Sequence, residues 1–308
     1  MSVRGRVKRA VETAFVLGGG ASIARRAHGS RLLVLAYHNI VPNGLEIHGD
    51  RSLHLRQSDF ATQLDTLTRT HEVVSLTDAL SHVKTGTTSG ARPLVAITFD
   101  DAYSGALTAG VAELRTRQLP ATIFVTPSFL DGKQFWWDTL SHAREGLDEA
   151  FRARALTEAH GLNKEILELA HADGMKAHEV PPHTCGASTE QMATALEFSG
   201  ITFAAHTVNH PNLVSLDDAE LMNELVQPFE WLKQYGDRAL PMVSYPYGLA
   251  DRRVMDASRN AGYDAGFMIE GGWASVRPED PFSIPRLNVP AGVSRAGFVL
   301  RAAGVIKG

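Results

Sequence analysis

The sequence predicts an α/β fold built around a parallel β-sheet that is either open or closed into a barrel. Two patterns support this prediction. Short runs rich in valine, isoleucine and leucine indicate buried strands, and the segments between them have apolar residues at helical spacing. Strands and helices that alternate along most of a chain usually form a parallel sheet covered by helices.

The predicted elements follow one another along the chain. Strands are expected at residues 32–37, 73–75, 94–99, 122–126, 201–205, 242–245 and 265–269. Helices are expected at residues 58–69, 76–83, 105–118, 188–198, 216–235 and 251–261. Residues 139–185 break this rhythm and are rich in histidine. We interpret them as a helical insertion over one face of the barrel, within one domain that spans residues 31–308.

Residues 1–30 form a separate basic segment, with cations at Arg4, Arg6, Lys8, Arg9, Arg25 and Arg26. Glu12 and three glycines at 18–20 interrupt the apolar stretch between them, which suits neither a spanning helix nor a signal peptide well. Two interpretations stay open. One is a helix that packs on the rest of its own domain in a cytoplasmic protein. The other is an amphipathic segment in peripheral contact with an anionic membrane. A cleaved signal peptide fits less well.

The composition excludes several classes of protein. The chain has 30 Lys and Arg against 34 Asp and Glu, a net charge of −4, which argues against nucleic acid as the main partner. A hydrophobic fraction of 44% excludes disorder as the main state. The single cysteine, Cys185, excludes both an internal disulfide and a cysteine-rich zinc module.

A pair of adjacent carboxylates, Asp100 and Asp101, follows the strand predicted at residues 94–99. Active sites of parallel α/β proteins gather at the carboxyl ends of strands. A turn at this strand end would let both carboxylates reach one site, where one binds a metal ion and the other accepts a proton. The alternative is that the pair caps and begins the following helix.

Two histidines, His206 and His210, follow the strand predicted at residues 201–205. Because Pro211 disfavours a helix at His210, a tight turn would have to bring the two imidazoles together. The alternative is one surface histidine and one capping histidine. Two histidines and Asp101 make a three-ligand set with an open position for water, as in catalytic metal sites. Asp100 could then accept the proton of that water.

The chain resembles the polysaccharide deacetylase family, that is, the NodB homology domain of carbohydrate esterase family 4. The resemblance runs from about residue 32 to residue 289 and rests on the motifs Thr98-Phe99-Asp100-Asp101 and His206-Thr207-x-x-His210-Pro211. It implies a distorted (β/α) barrel of about seven parallel strands. It also implies the metal ligands and the base named above, and a loop oriented by Thr207. Zn²⁺ is the expected ion, and Ni²⁺, Co²⁺ or Mn²⁺ would also suit these ligands.

The third motif of the family is only partly kept. The family has an arginine, one further residue, proline and tyrosine at a strand end, and here Ser244 stands in place of the arginine. The backbone N–H of Tyr247 could still stabilise an oxyanion. Arg286, near the last strand, is a candidate for the ion pair that orients Asp100, and the alternative is a solvated residue at a strand end.

The remaining motifs concern the substrate and the general acid. Trp136, Trp137 and Asp138 resemble the aromatic wall of the family, and indole rings stack well on sugars, although either Trp could instead pack under the barrel rim. We add Tyr103 to the expected substrate contacts. No histidine follows His210, so the acid of the fifth motif is missing from its usual place. Some relatives carry this motif at the front, and His38 at a strand end is similar, so we expect His38 to protonate the leaving amine. The alternative is a histidine that caps the strand end.

Taken together, the sequence predicts a metal-dependent hydrolase that removes an N-acetyl group from an amino sugar. The substrate would be a polysaccharide, a lipid-linked sugar or a glycoconjugate. Two alternatives remain. The same metal site could hydrolyse another amide or an O-acetyl ester, or the domain could be a sugar-binding module without activity.

Overall fold

A curled β-sheet forms the centre of the computed structural model, which describes residues 3–28, 31–85, 92–142, 146–269, 271–274 and 280–306. The strands are β1 (Leu32–Tyr37), β2 (Asn39–Val41), β3 (His54–Arg56), β4 (Glu72–Val73), β5 (Leu94–Phe99), β6 (Ala121–Val125), β7 (Ile201–Ala205), β8 (Ala239–Ser244), β9 (Ala265–Phe267), β10 (Trp273–Ala274) and β11 (Leu287–Asn288).

Seven strands follow one another in the order β10-β1-β5-β6-β7-β8-β9. All neighbours on this path are parallel except β10, which is antiparallel to β1. β4 is added to β5 and β11 to β1, while β2 and β3 form a small sheet of their own. The main sheet curls into a half-barrel with helices around it, so the predicted distorted (β/α) barrel is confirmed.

The helices are α1 (Val3–Leu17), α2 (Gly20–Ala27), α3 (Gln57–Thr70), α4 (Leu76–Thr85), α5 (Val111–Arg117), α6 (Trp136–Thr139), α7 (Glu149–Thr157), α8 (Asn163–Ala172), α9 (Thr189–Leu196), α10 (Asp218–Leu232), α11 (Arg252–Asn260) and α12 (Arg295–Ala302). Serine or aspartate side chains cap several of them, and α9 and α10 each begin with a complete capping box.

One segment connects the last and first strands of the half-barrel. Ile284 forms a parallel bridge with Phe267 at the end of β9. A few residues later β11 pairs with β1, so that Leu287 lies opposite Leu35. Arg286 lies between these two contacts. The closing segment therefore carries this side chain into the barrel.

The strands β1, β5 and β6 are buried at every residue, as expected for a parallel sheet covered on both faces. Successive side chains of a strand point to opposite faces. Accordingly, Leu33 and Leu35 belong to the core shared with α3 and α5, whereas Val34 packs in the second cluster with Phe124 and Phe267.

Two predicted helices differ from the structure. The helix expected at residues 105–118 begins with a π-helical turn at Ala106–Gly110 and becomes α-helical only in α5. Gly105 packs so closely that a Cβ atom there would lie 2.3 Å from the Ile40 carbonyl oxygen. The helix expected at residues 216–235 begins later, because Asp217 is its N-cap, and it ends at Leu232 before a 3₁₀ segment at Lys233–Arg238.

The insertion at residues 139–185 contains α7 and α8, followed by an irregular stretch at residues 173–181. Residues 143–145 lie outside the described part. At the other end of the chain, α1 and α2 are separated near Gly19, which has a φ of 81°. Within the described residues, no helix has the length and apolar character needed to span a bilayer. The domain boundaries and the location in the cell stay predictions.

Candidate active site

The carboxyl ends of the parallel strands surround a cavity of about 280 Å³. The ends of β1, β5, β7 and β8 each contribute at least one side chain from the sequence motifs. The lining residues are His38, Ser52, Leu53, Asp100, Asp101, Trp137, Arg152, Leu156, His206, His210, Tyr247, Ile269 and Asn288. The motifs therefore meet at one place, which is the place where active sites of parallel α/β proteins are found.

Asp101, His206 and His210 point at one another inside this cavity. Their candidate ligand atoms lie within 4.8 Å of one another, and all three residues are buried. The Oδ1 atom of Asp101 is 3.4 Å from the Nε2 atom of each histidine and has no hydrogen-bond partner among the described residues. A buried carboxylate oxygen without a partner is unfavourable, and a cation between these three atoms would satisfy it.

The outer nitrogen of His206 is held by the backbone. Its Nδ1–H donates a hydrogen bond of 2.8 Å to the carbonyl oxygen of Ser244 at the end of β8. This bond fixes the tautomer, so that the lone pair of Nε2 faces Asp101. Metal-binding histidines usually have such a second partner.

A tight turn places the two histidines together. Thr207 and His210 have positive φ angles of 62° and 57°. This turn brings the ring centres of His206 and His210 to 4.7 Å from each other. The Thr207 hydroxyl accepts a hydrogen bond from the His210 N–H at 3.1 Å. Glu224 on α10 accepts bonds from the backbone N–H groups of Val208 and Asn209. The turn is thus held from both sides, and no regular helix passes through it.

Asp100 and Asp101 reach the same cavity because the chain turns after β5. Asp101 and Ala102 have φ angles of 69° and 54°, in the left-handed region that non-glycine residues rarely adopt. Strained backbone of this kind is common at functional sites and has to be held by its surroundings. This conformation removes the alternation that would otherwise send the two carboxylates to opposite faces.

Arg286 holds Asp100 with two parallel hydrogen bonds of 2.7 Å, one to each carboxylate oxygen. Its Nη2 also donates to the Ser244 hydroxyl at 2.7 Å. Burial by itself would raise the pKa of Asp100, but Arg286 and His206 outweigh burial and hold that pKa well below its usual range. Asp100 is therefore ionised and fixed in orientation.

The electrostatics of the cavity favour a positive charge near the carboxylates. Burial opposes protonation of His206, yet Asp100 and Asp101 outweigh it and raise the pKa of this imidazole. Burial lowers the pKa of His210, so its ring is neutral and can act as a ligand. His38 is also kept neutral, because burial lowers its pKa more than the two carboxylates raise it.

The aromatic residues predicted to bind substrate have different positions. Trp137 lines the cavity, and its ring lies 4.8 Å from that of His210. Trp136, Tyr103 and Asp138 are at most 1% exposed and do not line the cavity. This corrects the expectation that these three contact a sugar, since they have no surface to present to it.

These buried residues instead form a hydrogen-bonded support under the cavity. Trp137 donates its indole N–H to the Tyr103 hydroxyl at 2.6 Å, and that hydroxyl donates to Asp138 at 2.7 Å. Asp138 also accepts a bond of 2.8 Å from His54. Trp136 donates to the Tyr247 hydroxyl at 3.3 Å. The polar atoms of the motif therefore fix the position of Trp137.

The sequence did not indicate every residue that lines the cavity. Arg152 and Leu156 come from α7 of the insertion, where no motif marks them. Asn288 follows Arg286 by two residues and could have been found, because residues i and i+2 of a strand share one face. Its Oδ1 atom is buried and has no hydrogen-bond partner among the described residues.

A protein-family model described as polysaccharide deacetylase matches residues 87–266, which is more than half of the chain. The chain belongs to the polysaccharide deacetylase family. The matched region contains Asp100, Asp101, His206 and His210, whereas His38 and Arg286 lie outside it. A front-placed fifth motif at His38 stays a prediction.

Individual relatives are distant. YxkH of Bacillus subtilis (strain 168), named provisionally as a polysaccharide deacetylase, is 23% identical over 146 residues, which cover 47% of this chain and 49% of that protein. The chain thus spans about half the length of this curated relative.

Several solved structures share the fold. PplD of Streptococcus pyogenes, in complex with acetate, has a TM-score of 0.61 and 17% identity over 89% of this chain and 98% of that chain. IcaB of Ammonifex degensii has a TM-score of 0.59 and 19% identity over 89% and 96%. A de-N-acetylase of Aggregatibacter actinomycetemcomitans has a TM-score of 0.59 and 16% identity over 87% and 98%.

Proposed function

We propose that this protein is a metal-dependent hydrolase that removes the N-acetyl group of an amino sugar. Membership of the polysaccharide deacetylase family supports deacetylation of a saccharide. The observation that carries the metal dependence is the buried Oδ1 atom of Asp101, which has no hydrogen-bond partner in the described structure and lies 3.4 Å from two histidine nitrogens.

Asp101, His206 and His210 would hold the divalent ion. Nitrogen and oxygen ligands in this ratio suit Zn²⁺ first, and Ni²⁺, Co²⁺ or Mn²⁺ as alternatives. When bound, such an ion polarises the acyl oxygen and lowers the pKa of the attacking water. The remaining steps belong to side chains of the protein.

Asp100 would accept the proton of the attacking water. Its low pKa keeps it ionised, and Arg286 fixes the direction of its carboxylate. A carboxylate with a low pKa is a weak base, so it can act only on a water that has itself become more acidic. This requirement agrees with the position of Asp100 directly beside the three candidate ligands.

His38 would donate a proton to the amine that leaves. Because its imidazole is neutral at rest, it would first take up a proton, namely the one that Asp100 accepts from the attacking water. It follows β1 and lines the same cavity as Asp100. The backbone N–H of Tyr247 would stabilise the developing oxyanion. Tyr247 has a φ of 58°, and its ring packs against that of His210 at 4.6 Å, which holds this backbone segment beside the candidate ligands.

An N-acetylated saccharide or glycoconjugate would enter the cavity past Trp137 and Arg152. The indole of Trp137 offers an apolar edge for a sugar ring, and Arg152 offers hydrogen-bond donors. Arg152 belongs to the insertion and forms an ion pair with Asp50. We therefore assign a part of substrate selection to α7.

Acetate release from a panel of N-acetyl and O-acetyl saccharides tests this function. We expect the Zn²⁺-loaded wild-type protein to release acetate from N-acetylated sugars and Asp100→Asn to lose most of this rate. Asp237→Asn is the matched control and should keep the rate, because Asp237 is exposed and does not line the cavity. Release from O-acetyl sugars alone would identify an esterase, and no release from any member would leave a binding module.

A further inference from the structure

The first two helices present apolar side chains to solvent. On α1, Val7, Val11 and Phe15 recur every fourth residue and therefore share one side of the helix, and all three are exposed. At the junction and on α2, Leu17 is 82% exposed and Ile23 is 71% exposed. We call these five residues the N-terminal face.

The inward side of these helices is already occupied. Glu12 is buried and accepts a hydrogen bond of 2.8 Å from Ser294, at the start of α12. Val16 and Ala21 pack in a small cluster with residues of α12. The N-terminal face is thus the outer side of helices that are docked on the domain. Exposed apolar patches rimmed by polar residues are typical of protein or membrane interaction sites.

The surroundings of the N-terminal face are basic. Lys8, Arg9 and Arg26 are exposed on the same two helices. Glu12 is the only acidic residue among residues 1–30, and it is buried on the opposite side. A second copy of this chain would bring like charges together, which disfavours self-association through this face.

A cavity of about 530 Å³ opens beside Leu17, between the first two helices, α3 and α12, and on α1 it borders Thr13 and Val16 rather than the other members of the face. Arg25, Arg69 and Arg295 line it together with apolar atoms of Leu17. No ion pair joins these arginines to a carboxylate in the described part of the chain. The pKa of Asp65 is lowered mainly by its hydrogen bond to Arg117, against the effect of burial, and to a smaller extent by the charges of Arg69 and Arg295. Asp65 is bonded to Arg117 at 2.7 Å and is therefore not the partner of the cavity arginines.

We propose that the N-terminal face and this arginine-lined cavity bind the surface of an anionic phospholipid bilayer. The apolar side chains enter the interface, and the three guanidinium groups bind lipid phosphates. Apolar insertion combined with basic residues is the usual chemistry of peripheral membrane segments. Neither element needs the catalytic site, so this inference stands independently of the proposed activity.

Vesicle flotation of the full-length chain tests the proposal. Vesicles of phosphatidylcholine alone are compared with vesicles that also contain phosphatidylglycerol. We expect partition only with the anionic lipid and a decrease with added salt. Each basic residue at such a surface contributes about fivefold, so Arg69→Ala with Arg295→Ala should weaken partition about 25-fold. Arg115→Ala with Arg252→Ala, on other parts of the surface, is the control and should have little effect.

The apolar part has its own pair of variants. Leu17→Asp should reduce partition at least about tenfold, because an exposed leucine no longer enters the interface and a negative charge faces anionic lipid. Val214→Asp, an exposed valine elsewhere, should not change it. Circular dichroism verifies that the variants fold. Absence of partition, equal partition on neutral vesicles, or a dimer that Leu17→Asp disperses would each overturn the proposal.

Discussion

Arg286 and Asp100 are joined by two hydrogen bonds of 2.7 Å, although they are separated by 186 positions in the sequence. Both side chains are buried, and the guanidinium also lies 5.3 Å from the ring centre of Phe124. Ser244 stands where the family pattern has arginine, and its small side chain leaves room for Arg286 to reach Asp100 from the closing segment. The charge is kept while its origin in the chain has moved.

Replacing Arg286 should damage both stability and activity. Arg286→Met leaves Asp100 as a buried, unpaired charge, so we expect the free energy of unfolding to fall by about 3–5 kcal/mol. Urea denaturation measures this change, with the exposed Arg252→Met as the control. Arg286→Lys keeps a charge but not two parallel bonds, and it should retain the fold with a lower turnover number. An unchanged turnover number in Arg286→Lys would show that the two-point contact is unimportant.

Moving the arginine back to β8 should restore part of the activity. Ser244→Arg combined with Arg286→Ser places the guanidinium where the family pattern has it. We expect this double variant to be more active and more stable than Arg286→Ser alone, because Asp100 regains a cationic partner. Ser244→Arg in the otherwise unchanged chain is the control, and it should be destabilised by overpacking against Arg286. A double variant no better than Arg286→Ser would contradict the exchange.

His38 should matter only for leaving groups that need a proton. His38→Gln should lower the rate of N-acetyl hydrolysis by about 10²–10⁴-fold, the usual contribution of a general acid. It should have a much smaller effect on an acetate ester of a nitrophenol, whose anion leaves unprotonated. Metal content, measured by mass spectrometry, should be unchanged. His171→Gln, on the surface of α8, serves as the control. Equal losses on both substrates would remove His38 from the role of acid.

Asp138 should stabilise the fold without taking part in binding. Asp138→Asn disturbs the buried bonds to His54 and Tyr103, and we expect a loss of about 1–3 kcal/mol in the free energy of unfolding. Because Asp138 holds Trp137 in place through Tyr103, the variant should let Trp137 shift relative to the candidate metal ligands. We therefore expect the Michaelis constant to change less than the turnover number. A large rise of the Michaelis constant with unchanged stability would return Asp138 to the substrate contacts.

Stability should fall in acid through His71. Burial lowers the pKa of His71 to about 4, and its Nε2–H donates to the Ala302 carbonyl oxygen at 3.1 Å. Because the unfolded chain binds the proton more readily, stability is complete above pH 6.5 and is lost towards pH 4, by about 3 kcal/mol. Thermal unfolding across this range should show a shallower pH dependence in His71→Gln. An identical slope in wild type and variant would exclude His71 as the cause.

The sequence predicted the central strands best. Three strand ranges, 32–37, 94–99 and 201–205, agree with β1, β5 and β7, and the range 122–126 differs from β6 by one residue, because mainly apolar runs of this length fit the buried centre of a parallel sheet. The strand expected at residues 73–75 is the two-residue edge strand Glu72–Val73. Few pairing partners exist at an edge, so local pattern alone does not set its limits.

The site could be predicted only in part, for a physical reason. Residues close together in a motif, such as Asp100 and Asp101, are recognisable because their spacing carries the chemistry. The partner of Asp100 depends on how the barrel closes, so the sequence could name Arg286 only as a candidate, beside the alternative of a solvated residue, and the two bonds to Asp100 decide between them. Adjacent indoles at positions 136 and 137 indicate an aromatic cluster, but only packing decides that Trp137 lines the cavity while Trp136 is covered.

The dependence of acetate release on bound metal tests the central claim most directly. The protein is stripped with a chelator, reloaded with increasing Zn²⁺, and assayed on an N-acetylated saccharide while its metal content is measured. We predict that the rate rises in proportion to occupancy up to one ion per chain, and that His206→Ala neither holds the ion nor releases acetate. Full acetate release from the stripped protein would contradict a metal site at Asp101, His206 and His210.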